Sequence, residues 1–265
     1  MKAILLTVIL GLLLGACTEE AAPRAIASLR GADELAFICA REINGELRGV
    51  SLDRCSPNAD DASLRLYTLV TQPESGEVAV VSFSGCASPW DCGGRVLDLE
   101  YTQPGVNFLP VGAEPVDIVS TPGGVASFVA VAEPGREGIF GLPTSCVGPR
   151  QRGAAIRDLR TWPACRLPSA PGSLAMVTGS DEQGCEVPVE AADDVECPAD
   201  LRVERAPRGA RKLVVAMPEL GQLWVLDAQR LLNRAPGSFE DCQPEQVLDL
   251  HENLEVTDDG GAAPQ

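Results

Sequence analysis

Histidine is nearly absent from this chain: His251 is its sole representative among 265 residues, and lysine occurs only as Lys2 and Lys212. One imidazole excludes zinc sites built on paired histidines. It also leaves any histidine-based triad dependent on His251, which sits in a polar stretch with no ligand cluster around it. No Gly-x-Ser-x-Gly elbow, phosphate-binding P-loop or dinucleotide fingerprint is present. Cys86 and Cys92 are too far apart in sequence for a redox Cys-x-x-Cys pair, and Gly93 and Gly94 read as turn material. Glycoside hydrolysis needs two carboxylates at a set separation, and among 38 acidic residues no pair stands out. The acidic residues 190–196 lack the alternating oxygen donors and central glycine of a calcium loop. The sequence therefore names no catalytic residue, metal or cofactor.

Basic charge is also scarce. Twenty-one Lys and Arg face 38 Asp and Glu, for a formal net charge of -17. A surface of that sign repels phosphate backbones and anionic headgroups, so nucleic acid is excluded as a partner. The one basic cluster is Arg150, Arg152, Arg157 and Arg160, followed by Trp162. It reads either as a loop neutralised by the protein's own carboxylates or as a receiver for an anionic partner. Trp90, between Cys86 and Cys92, reads either as a contact residue on a bridged loop or as a cover for a sheet end. These six residues are the binding candidates.

Long periodic helical text is missing as well. With 26 Gly and 21 Pro, the chain is written as short apolar runs broken by turns, the pattern of small antiparallel sheets. It is clearest over residues 106–142. There Val116, Ile118, Phe128, Val129 and Val131 would supply packing between sheets, and the side taken by Phe128 or Val129 depends on register. Asn44 and Gly45 favour a tight hairpin. Residues 228–233 offer one or two helical turns, with Leu231 and Leu232 covering a sheet end.

Similar apolar runs begin near Leu35, Val78, Ala126, Leu174 and Leu213, a spacing of about 40 to 50 residues that points to five repeated sheet units. Residues 111–119, with Pro115 just ahead of an apolar run, resemble the opening of a blade in YVTN or NHL-like repeats. The resemblance implies an all-β fold, a β-propeller of short four-stranded antiparallel blades. It would be closed at five or six blades, or else the truncated first part of a longer one. Propellers of this kind serve as binding platforms, and some carry quinoprotein or lyase chemistry, for which no residue here can be matched.

At the start, Lys2 precedes an apolar stretch over residues 4–14, and Leu14, Gly15, Ala16 and Cys17 close it. This resembles the lipobox of bacterial lipoproteins. The resemblance implies removal of residues 1–16, acylation of Cys17, and attachment through acyl chains rather than by a spanning helix. The alternative is an ordinary secretion signal. Thr18 is similar to the residue associated with delivery to the outer membrane in Gram-negative bacteria. The expected organisation is then a tether over residues 17–25, a propeller domain over 26–257 and a disordered tail over 258–265.

With Cys17 lipidated, nine of the ten cysteines remain. In an exported compartment they read as disulfides. Local pairing suggests Cys39 with Cys55, Cys86 with Cys92, Cys146 with Cys165 and Cys185 with Cys197, leaving Cys242 unpaired. The functional expectation is a lipid-anchored scaffold of the bacterial envelope that binds another envelope protein or a surface polymer. An exported hydrolase or lyase of the same architecture is the alternative, and a purely structural lipoprotein the third.

Overall fold

The computed structural model describes residues 29, 31–43, 46–55, 63–83, 95–96, 108–147, 162–178 and 211–250. The chain folds into short strands: β1 (Leu35–Ile43), β2 (Glu46–Val50), β3 (Leu64–Gln72), β4 (Glu77–Phe83), β5 (Arg95–Val96), β6 (Leu109–Pro110), β7 (Pro115–Ser120), β8 (Ala126–Val131), β9 (Gly138–Pro143), β10 (Ala164–Arg166), β11 (Leu174–Thr178), β12 (Arg211–Met217), β13 (Gln222–Asp227) and β14 (Gln246–Asp249). One short helix, α1 (Ala228–Leu232), follows β13.

These strands form three antiparallel sheets. The first runs β2-β1-β3-β4-β5, with β6 also pairing β4; the second runs β10-β9-β8-β7; the third runs β11-β12-β13-β14. The five units expected from the spacing are therefore not five sheets. The first two merge, because β1 and β3 pair from Leu35 with Val70 to Arg41 with Leu64. β11, expected in the fourth unit, joins the fifth by pairing with β12. Recurring apolar runs report strands, and hydrogen-bond partners decide which strands share a sheet. Between β1 and β2, Ile43 pairs with Glu46; Asn44 and Gly45, where a tight turn is expected, lie outside the described residues.

Among the described residues the second sheet is the central one. Every residue of β8 and β9 is buried, which requires a neighbour on both faces. Val129, Val131, Phe140 and Leu142 pack with Ile38, Leu69, Val78 and Val80 of the first sheet. Phe128, Ala130 and Ile139 pack with Leu213, Val215, Met217 and Leu226 of the third. The register thus places adjacent Phe128 and Val129 on opposite faces, as the pleat demands. Each large apolar side chain so buried contributes about 1.5–3 kcal/mol. Helix α1 is started by Asp227, whose side chain accepts the Arg230 amide at 2.9 Å. Its buried Leu231 and Leu232 join the packing between the second and third sheets.

Among the described residues, two joints fix how the sheets sit against one another, alongside single bonds between them. At the first, β2 lies against the turn after β7: a Cβ at Gly49 would fall 1.9 Å from the carbonyl oxygen of Gly124. Gly124 itself has a φ of 68°, in the left-handed region that only glycine adopts without strain. The Thr144 hydroxyl donates to that same Gly124 carbonyl. At the second joint, the chain leaving α1 runs parallel to β10. The Arg166 amide donates to Glu240 O at 2.9 Å, and the Cys242 amide to Arg166 O at 2.8 Å. Arg166 also pairs with Asp241 at 2.8 Å. Arg234 donates to the carbonyls of Glu240 and Asp241 at 3.1 and 2.9 Å.

The disulfides agree with the sequence expectation at one place and correct it at another. Cys39 is bonded to Cys55, with Cα atoms 5.6 Å apart. Cys165, however, is bonded to Cys242, with a Cα separation of 4.9 Å. The expected pairing of Cys146 with Cys165 is wrong, and Cys242 is not unpaired. The reason is placement: Cys146, in the short 3-10 turn after β9, belongs to the core between the first and second sheets, whereas Cys165 faces the third. Cys146 is also disulfide-bonded, and its partner is none of these four cysteines.

Both joints lead to stability predictions. Replacing Gly49 by Ala forces a methyl group into backbone and should destabilise the chain by about 3 kcal/mol; a urea midpoint equal to that of the unsubstituted protein would contradict the close approach. The Cys165–Cys242 bridge spans 77 residues against 16 for Cys39–Cys55. In the chain-entropy model the longer loop contributes about 4.5 kcal/mol and the shorter about 3. The paired Cys165→Ala and Cys242→Ala variant should therefore lose more stability in urea than the Cys39→Ala and Cys55→Ala variant, and the reverse order would count against the clamp.

Candidate functional site

Trp162 was a binding candidate, and the structure corrects that reading. Its side chain has no exposed surface, and its indole N–H donates to the carbonyl oxygen of Pro110 at 2.6 Å. A buried indole with its one donor satisfied ties β6 and the residues beside it to the second sheet. It offers nothing to a partner. The other binding candidates, Trp90, Arg150, Arg152, Arg157 and Arg160, lie outside the described residues, as do Cys17, Cys86, Cys92, Cys185 and Cys197.

What the described residues assemble is a rim of loops where the tips of the first and second sheets meet. The turn between β3 and β4 brings Gly76 O within reach of the Val111 and Gly112 amides, at 3.0 and 3.2 Å. Glu133 returns to the same place, its Oε2 accepting the Ala113 amide at 3.0 Å. Glu114, between them, has a φ of 58°. That conformation is costly for a residue with a side chain, and the flanking bonds hold it: the Glu114 amide donates to Pro73 O and its carbonyl accepts the Ala132 amide at 3.0 Å. With Glu74 and Glu114 exposed, the rim is acidic.

The carboxylates here serve the loops. Glu137 accepts the Gly135 amide at 2.9 Å, and that backbone bond, with one from its own amide, lowers its pKa. Glu77 is shifted the other way: burial raises its pKa, partly offset by a hydrogen bond from Ser75. It stands directly across from Gln72, whose Nε2, like Thr68 Oγ1 on the same strand, is buried without a hydrogen-bond partner among the described residues. Among those residues no group of three or more His, Cys, Asp or Glu side chains is placed to hold a metal ion. No helix among them is long and apolar enough to cross a membrane.

Asp117 is the residue that sequence reading missed. A bulge between Pro115 and Asp117 shifts the β7 register, and such a bulge re-aims the side chain after it. One Asp117 oxygen accepts the Ile118 amide at 2.6 Å, and the other accepts the Leu174 amide at 2.5 Å. The carboxylate thus links the first strand of the second sheet to the first strand of the third. The sign available in the sequence was a lone acid inside the apolar run from Val116 to Val119. Its role is to hold strands in place, and it leaves no free oxygen aimed at a substrate among the described contacts.

No protein-family model matches this chain, and no curated protein matches its sequence. The arrangement is a disulfide-bonded stack of small antiparallel sheets, a form suited to protein interaction.

Glu77 gives the rim a pH dependence. Burial favours the neutral carboxyl, so the folded-state pKa lies above the unfolded one. Its contribution to stability is present below the unfolded pKa and is lost as pH rises through the folded value. Glu77→Gln, which mimics the neutral form, should raise Tm at neutral pH, and the gain should vanish near pH 3. An equal gain at both pH values would show that ionisation is not the cause.

Proposed function

We propose that this chain is an exported, lipid-anchored binding or scaffold module of the bacterial envelope, with its sheets arranged as blades of a β-propeller. Its partner would be another envelope protein or a surface polymer. The observation that carries this reading is the disulfide-tied stack in which the second sheet is buried between two others. Sheets packed face to face in chain order are how blades pack, and bridged cysteines fit an oxidising compartment outside the cytoplasm. The four lipobox positions ending at Cys17 support attachment through acyl chains, with the outer membrane as the destination. A rigid stack that presents loops at its tips provides a platform for contacts without requiring catalytic groups.

Acylation has an arithmetic consequence. Ten cysteines less Cys17 leave an odd number, so intrachain bridges cannot use all of them. Cys242 is already bridged to Cys165, so an unmatched thiol falls elsewhere. Titration of the monomeric mature chain, denatured without reduction, should count an odd number of thiols. A fatty-acid label should mark the full chain and be lost in Cys17→Ser. An even count together with no label would remove the anchor. The binding role is tested separately, by recovery of a partner from detergent-solubilised envelope; if no component is recovered above a control lipoprotein, the structural-lipoprotein alternative takes its place.

A further inference from the structure

We draw no further inference here: the strongest candidate, the outward apolar face of the third sheet formed by Val177, Val214, Ala216, Leu223, Val225 and Leu248, carries none because nothing in the structure shows what covers it.

Discussion

Burial of the second sheet on both faces is the constraint from which the rest of the architecture follows. A half-buried strand alternates apolar with polar residues, but β8 and β9 have no exposed face to keep polar. Such a sheet is not stable in water by itself. It needs the first sheet on one side and the third on the other, and among the described residues the two apolar cores lie against its opposite faces. The polar groups within it are accommodated locally: the Ser120 and Ser127 hydroxyls bond one another at 2.8 Å, and Thr121 Oγ1 accepts the Ala126 amide.

Face-to-face packing alone allows sheets to slide, and the two joints remove that freedom in different ways. Between the first and second sheets the device is the absence of side chains at Gly49 and Gly124, which lets backbone approach backbone. Between the second and third it is a cluster of specific bonds: the Cys165–Cys242 bridge, the Arg166–Asp241 pair and the carbonyls held by Arg234. The Arg166–Asp241 pair is exposed, so by itself it adds little to stability. Its value is positional, since it aligns the strand segment that covers the edge of β10. Covering an edge also removes a site where another chain could pair.

Much of the local structure was legible in the sequence. The strands over residues 115–143 and the short helix carrying Leu231 and Leu232 follow from apolar runs bounded by turn residues. What could not be read was which strands share a sheet. β1 and β3 pair across an intervening hairpin, and nothing in either segment marks the other as its partner. The cysteines failed for the same reason: nearness in sequence favoured Cys146 for Cys165, while the fold puts them in different cores. Trp162 reads from the sequence as a contact residue because it follows a basic stretch. Its burial depends on the Pro110 carbonyl, 52 residues away, which local composition does not reveal.

The dependence of the stack on its central sheet is tested most directly by native-state hydrogen exchange. If both faces of β8 and β9 are closed by packing, the amides of Phe128, Val129, Ala130 and Phe140 open only when the whole domain unfolds. They should then be the slowest to exchange, with an opening free energy equal to that of global unfolding measured in urea. Exchange of these amides at lower free energy than those of β1 and β3 would contradict the account, since the first sheet would then persist without its supposed support.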